Sequence, residues 1–318
     1  LEDIFRNEGP PRVVHLRVDP EEDGRRLDNY LMARLRGLPR ARVYRLIRGG
    51  EVRVNGGRAG AATRLKAGDD VRVPPVRDLR RQPAPVREDR LDWIRRLVIG
   101  QDQDLLVLAK PAGLAVHGGS GVSLGAIELL RAALPDGDRL ELVHRLDRDT
   151  SGCLLVARRR SMLRRLHEAF RAGEISKRYL ALLVGGNWPG GALTSTAPLL
   201  TSERRGGERH VRIDEQGKPA ETRFYPLRRY PAAVLAGVDL RSGRTHQIRV
   251  HAAGLGHPVA GDPRYGAGTD PVVEHAGLRR LFLHAGALGF RHPRSGEWCA
   301  FRCPLPPDLA QVLERLEY

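Results

Sequence analysis

Cysteine is scarce in this 318-residue chain, which has only Cys153, Cys299 and Cys303. So few, in a spacing that fits no usual zinc-ligand pattern, exclude a disulfide scaffold and a zinc finger, and point to a reducing compartment, the cytoplasm. Long apolar runs are missing too. Nothing approaches the roughly 18 residues of a membrane span, and Leu1–Arg6 is not a basic start followed by an apolar stretch. A soluble, non-exported protein with no membrane partner is the expectation. Lysine occurs four times, at Lys66, Lys110, Lys177 and Lys218, yet Lys and Arg together outnumber Asp and Glu by 54 to 38. Arginine therefore carries the formal charge of +16, part of which fits GC-rich coding. Such a charge favours a polyanionic partner, nucleic acid ahead of an anionic membrane. At 41% hydrophobic content the chain can build one large core and one small one.

Residues 1–12 are charged, contain Gly9-Pro10-Pro11, and read as a disordered lead-in. Val13, Val14, Leu16 and Val18 then suggest a strand broken by Asp19-Pro20. Leu27, Tyr30, Leu31 and Leu35 recur at helical spacing, as do Val43, Leu46 and Ile47, predicting two short helices. Glu51–Gly57 reads as a strand entering an Asn-Gly turn, and Gly68–Pro74 as a turn and strand. Arg40, Arg42, Arg45, Arg48, Arg53, Arg58 and Arg64 cluster here, either as a solvated face or as a patch that tracks phosphates. Residues 76–92 hold Pro83-Ala84-Pro85 without apolar periodicity and read as a semi-extended linker.

The second domain is organised around His144-Arg145-Leu146-Asp147-Arg148-Asp149-Thr150-Ser151-Gly152. The apolar runs Leu105–Ala109 and Cys153–Ala157 read as buried strands, so this charged stretch is expected to be a loop held at a sheet edge. Carboxylates among arginines near a core form a structural ion-pair network or hold one carboxylate ionised for chemistry. Val116–Gly121 is a glycine-rich loop, read as a turn in preference to a phosphate cradle. Leu163, Leu166 and Phe170 mark a helix that stops at Gly173, and Lys177–Val184 reads as a strand. In Ser242–His251 a strand would place His246, Ile248 and Val250 on one face and Gln247, Arg249 and His251 on the other. His246 and His251 then fall on opposite faces, which argues against a metal pair.

Four of these motifs together resemble the RluA-type pseudouridine synthases, enzymes that isomerise uridine within RNA. The nonapeptide resembles that family's His-Arg-Leu-Asp-x-x-Thr-Ser-Gly loop, which implies that Asp147 is the essential carboxylate and leaves Asp149 a turn or ion-pair role. Lys177-Arg178-Tyr179-Leu180-Ala181 resembles an element whose Tyr packs on the target uracil and is a candidate for deprotonating its C5; here that is Tyr179. Gly243-Arg244-Thr245-His246-Gln247-Ile248-Arg249-Val250-His251 resembles the motif whose arginine, here Arg249, pairs with the catalytic Asp. The turns Gly256-His257-Pro258 and Gly261-Asp262-Pro263-Arg264-Tyr265-Gly266, and the strand Leu283–Leu288, resemble further family elements and read as structural. Arg145 matches a position that contacts RNA and fills the gap left by the flipped base. Arg244, His246 and Gln247 are expected to contact RNA as well.

Residues 13–75 resemble the S4 RNA-binding domain, with Arg42, Arg45, Arg48 and Arg53 as its RNA contacts. The implied fold is α+β: a small S4 domain, a linker, and a catalytic domain over 93–318 built on a mixed, largely antiparallel β-sheet. Val43-Tyr44-Arg45, His117–Gly121 and Glu141-Leu142-Val143 look most like the branch acting on large-subunit rRNA. Ala109-Lys110-Pro111, in place of Asn-Lys-Pro, and Gly261-Asp262 depart from that branch. The resemblance implies an enzyme that modifies 23S rRNA, free or in a pre-50S particle, with no metal and no cofactor, and a monomer is the expectation. A tRNA or dual-specificity synthase and a non-catalytic RNA-binding or ribosome-assembly protein are the alternatives. A glycoside hydrolase using Asp147 and Asp149 fits poorly, because two carboxylates in one loop do not flank a sugar.

Overall fold

The computed structural model describes residues 12–35, 38, 40–76, 86–118, 124–203, 209–266 and 270–317. Residues 1–11 of the expected lead-in, most of the expected linker, and Gly119 to Gly121 of the glycine-rich loop lie outside them. The chain divides into two compact units, Leu1–Val86 and Arg87–Tyr318.

In the first unit, β1 (Val14–Arg17) leads to α1 (Leu27–Arg34) and α2 (Arg40–Arg48), followed by β2 (Arg53–Val54), β3 (Gly57–Arg58) and β4 (Asp70–Val73). The strands form an antiparallel sheet in the order β1-β4-β2-β3. The helical spacing seen in the sequence buries Leu27, Tyr30, Leu31, Val43, Leu46 and Ile47 against Val52, Val71 and Val73. Asn55 and Gly56 both take positive φ, 49° and 78°, the conformation a tight two-residue hairpin demands.

The second unit begins with α3 (Glu88–Arg96), not with a linker through residue 92. Ile94 is fully buried and Arg95 donates to the Ala133 carbonyl, so this polar segment is held from one side only, which hid its helix among charges. Next come β5 (Val98–Gln101), β6 (Leu105–Lys110), α4 (Ala126–Ala133), β7 (Glu141–Leu142) and β8 (Ser151–Ala157). Then follow α5 (Arg160–Ala172), β9 (Ser176–Val184), β10 (Leu193–Ser195), β11 (Leu199–Glu203), β12 (Arg209–Ile213), β13 (Thr222–Arg229) and β14 (Ala233–Leu240). The unit closes with α6 (Gln247–Gly254), α7 (Pro271–Ala276), β15 (Leu283–Arg291), β16 (Trp298–Arg302) and α8 (Pro307–Arg315).

Among the described residues the large sheet runs β10-β13-β14-β9-β15-β8-β6-β5, with β16 beside β15 and β7 beside β8. It is mixed, because β15 runs parallel to β8 while its other pairings are antiparallel. β8 is buried at every position, as its unbroken apolar run requires. It lies between β15 and β6, so the charged loop before it stands at the end of an interior strand rather than at a sheet edge. Gly152 explains the Ser-Gly that ends the motif: its φ is 119°, and a Cβ there would meet the Ala285 carbonyl oxygen at 2.2 Å. Side by side, β11 and β12 form a separate hairpin, whose Leu199 and Val211 pack with Ala220, Val250 and Tyr265.

The segment expected as a strand over 242–251 is a loop and then helix α6. Residues Gln247 to Ala252 are all buried, so the helix has no polar face to print a 3.6-residue period, and Ile248 and Val250 mimic alternation.

Candidate active site

Two buried groups shape the loop carrying Asp147. The His144 ring accepts the Leu155 amide through Nε2 at 3.0 Å; burial and the nearby Lys177 push it down to about 4, so it is a neutral scaffold. Lys110, 1% exposed, donates to the carbonyls of Pro111, Leu114 and Arg148 at 2.8, 2.9 and 3.0 Å. Burial pushes its ammonium down to about 7, against the attraction of Asp149 and Asp147. Three carbonyl acceptors match the three protons of the charged form, which geometry therefore favours. Lys110→Met should leave the Pro111 and Leu114 carbonyls without this donor, while the Arg148 carbonyl keeps the Gly113 amide, and lower stability by about 1–3 kcal/mol, read as a shifted urea midpoint with an unchanged slope.

The Asp147 side chain is 19% exposed and accepts no hydrogen bond among the described residues; the nearest nitrogen donors stand just beyond that range. Arg249 Nη1 is 4.0 Å from its Oδ2, and His246 Nε2 is 3.9 Å from the same oxygen. The expected pairing of Arg249 with Asp147 is made by one guanidinium nitrogen, at 4.0 Å, and it is not the arginine's main partnership. Its Nε and Nη2 form a bidentate pair with Asp262, at 2.7 and 2.6 Å, and only the third nitrogen faces Asp147. Asp262 also accepts the amides of Arg264 and Tyr265. Burial opposes its charge, but Arg249 and those amides prevail and hold the carboxyl below its usual range. The turn read as structural thus supplies the anion that fixes the arginine.

Arg145, Leu146, Asp147, Thr150, Tyr179, Arg244, His246, Gln247 and Arg249 line one open cleft. Tyr179, on interior strand β9, is 9% exposed; burial and then the charge of Asp147 push its phenol up, so it is protonated at neutral pH. Arg145 and Arg244 are exposed at the rim, where they can meet phosphate. Gln247 is different. Its oxygen accepts from Ser242 Oγ and the Arg244 amide, and its nitrogen donates to the Glu221 carbonyl and Thr222 Oγ1, so no polar atom is left for RNA. His251 is likewise committed, to Thr222 and the Ala197 carbonyl.

One group of described residues, Asp102, Asp104 and His292, brings possible metal ligands within 4.8 Å of one another. His292 Nδ1 accepts the amides of Arg294 and Ser295, which leaves the ring proton on Nε2, facing Asp102 at 3.2 Å. Arg159 and Arg294 pair with Asp104, and the knot is a structural ion cluster at the far end of β8.

Residues 104–254 match the family model described as RNA pseudouridylate synthase, and residues 25–71 match the S4 domain. The ribosomal large subunit pseudouridine synthase C of Pasteurella multocida (strain Pm70) is 49% identical over 307 residues, 96% of this chain and 94% of that protein. The chain belongs to the RNA pseudouridylate synthase family. The protein of the same name from Escherichia coli (strain K12) is 47% identical over 311 residues, 96% of this chain and 97% of its own length. Among solved structures of the family, Human RNA Pseudouridylate Synthase Domain Containing 4 is 25% identical, with a TM-score of 0.60, 72% of this chain and 97% of that one covered.

Family membership matches the α+β fold and the S4 domain expected from the motifs. Three residues to which the sequence assigned no part in the chemistry stand at or beside the site: Lys110, and Asp262 and Tyr265 of the turn read as structural. For Asp262 the one hint was that an arginine drawn into a core requires a carboxylate, and Gly261-Asp262 lay in a turn read as structural.

Proposed function

We propose that this pseudouridine synthase acts on specific uridines of 23S rRNA in the large ribosomal subunit or its pre-50S precursor, with Asp147 as the catalytic carboxylate. The observation that carries the reading is the cleft itself: a carboxylate faced by one free arginine nitrogen, with a buried tyrosine on the wall. The two relatives above, each named for the ribosomal large subunit, support the substrate.

The reaction breaks the C1'–N1 bond of uridine, turns the uracil, and joins C5 to C1'. C5 loses its proton and N1 gains one, so the RNA mass is unchanged. The uridine must first leave its stack, at a cost of a few kcal/mol, and Arg145 at the rim is placed to fill the gap. Asp147 then either attacks C1' or removes the C2' proton, and both routes start from its ionised form. Arg249 favours that form, while its own pairing with Asp262 keeps the guanidinium in place as charge shifts at the sugar. Tyr179 offers a flat wall for uracil, and its oxygen receives the C5 proton only as it hands on its own. The cleft is open in the free protein, so the bound RNA itself must cover it to keep water from trapping the sugar.

RNA binding is shared with the S4 unit. Arg42, Arg45 and Arg48 follow one another at three-residue spacing along α2. Across the sheet, Arg72 and Arg58 lie directly opposite Arg53 on either side. Like charges placed directly opposite destabilise a sheet, and phosphate between them reverses the sign. Replacing Arg45, Arg48, Arg53 and Arg58 together by Gln should reduce the log–log salt slope of RNA binding by about 3, leaving turnover at saturating RNA within a few-fold. An unchanged slope would count against the patch. We also propose a monomer working in the cytoplasm; no helix among the described residues is long and apolar enough to cross a membrane.

The test of the whole reading is pseudouridine mapping on large-subunit rRNA from cells lacking the gene, complemented with wild type or Asp147→Ala. Marks lost and restored by wild type alone support it. Marks lost from transfer RNA instead would replace the substrate.

A further inference from the structure

His246 immediately precedes α6 at its N-cap, with φ 54° and ψ 19°, a left-handed backbone that only one other described non-glycine residue, Asn55, adopts. Strain of this kind at a cleft wall is held by its surroundings, and here the surroundings grip the ring. Nδ1 lies 2.8 Å from the Tyr265 hydroxyl oxygen, and Nε2 points at Asp147. The Tyr265 hydroxyl also accepts the Val211 amide of β12 at 3.3 Å. An oxygen that accepts from an amide still has its own proton to place, and Nδ1 is the acceptor within reach. That donation puts the ring proton on Nε2.

We propose that Tyr265 is a positioning residue that locks His246 in its Nε2–H tautomer, giving Asp147 a neutral donor beside the cation of Arg249. Arg249 commits two of its three nitrogens to Asp262, so the carboxylate has room for a second partner. The 3.9 Å gap is longer than a hydrogen bond, as catalytic contacts often are before substrate closes the site. Burial keeps the ring neutral, since it lowers the pKa of His246; Arg249 and Arg264 add to this, and Asp147 and Asp262 oppose it. Tyr265 is suited to the task by its other contacts. Its ring stands 5.0 Å from the Arg249 guanidinium carbon and edge-on to His246, and its amide holds Asp262. The hairpin β11–β12, through Val211, is thereby tied to the orientation of the catalytic carboxylate.

This inference rests on the reading of Asp147 as catalytic, and its first test does not. Nitrogen-15 NMR of the imidazoles in the resting full-length protein should show a His246 ring protonated at Nε2; a ring protonated at Nδ1 overturns the proposal, whatever the enzyme does to RNA. The second test is kinetic. The Gln amide nitrogen falls near the Nε2 position and that of Asn near Nδ1. His246→Gln should therefore exceed His246→Asn in turnover by about 10-fold, at equal RNA affinity. Tyr265→Phe should lower turnover by a similar factor in the wild type and add nothing in the His246→Gln background. A purely structural role for the Tyr265–His246 contact predicts the reverse order, Asn above Gln, and that result overturns it.

Discussion

Replacing Asp147 by Ala or by the isosteric Asn is expected to lower turnover by roughly 10⁴-fold or more, the scale on which enzymes lose an essential nucleophile. RNA affinity should stay within a few-fold of wild type. Both parts follow from the geometry. The side chain is 19% exposed and makes no hydrogen bond to a described side chain, so removing it breaks nothing that holds the fold. Asn fills the same space and lacks only the charge. If Asn retained activity within 10-fold of wild type, an ionised carboxylate at this position would not be the catalyst.

Arg249→Met carries the second large effect, and it falls on stability as well as rate. Its guanidinium is buried with Asp262, and removing one partner of such a pair costs about 3–5 kcal/mol because the other charge is stranded. The double variant Arg249→Met/Asp262→Asn, whose neutral side chain still accepts the Arg264 and Tyr265 amides, should regain most of that stability in urea unfolding and none of the activity. Stability and catalysis are thereby separated at one residue. The pH dependence has a fixed sign. Asp262 is held below its unfolded pKa of about 3.9, so its contribution is complete above that pH and lost as pH falls through the lower, folded value. The wild type's advantage over Arg249→Met should accordingly be full at pH 7 and shrink below about pH 4. A difference that stays constant into acid would mean that the pair is not what holds this corner together.

The sequence was most legible where one residue type has one physical use. Apolar spacing marked α1, α2 and α5, the Asn55-Gly56 pair marked the hairpin, and Gly173 marked the end of α5 with a left-handed cap. The loop around Asp147 announced itself as charge set between two buried strands. Legibility failed where burial surrounds an element. Helix α6 shows no period because every side is covered, and α3 shows little because one buried residue anchors a charged helix. It failed again for partnerships between distant segments. That Arg249 is clamped by Asp262, and that Lys110 closes the loop through three carbonyls, are facts of tertiary contact with no local pattern.

The central claim is that Asp147 serves an isomerisation at C5. It is tested most directly with purified protein and 23S rRNA carrying tritium at C5 of its uridines. Wild type should release tritium to water in proportion to the pseudouridine formed, with the RNA intact and no free uracil, and Asp147→Ala should release none. Release by the Ala variant, or free uracil from the wild type, would contradict the account.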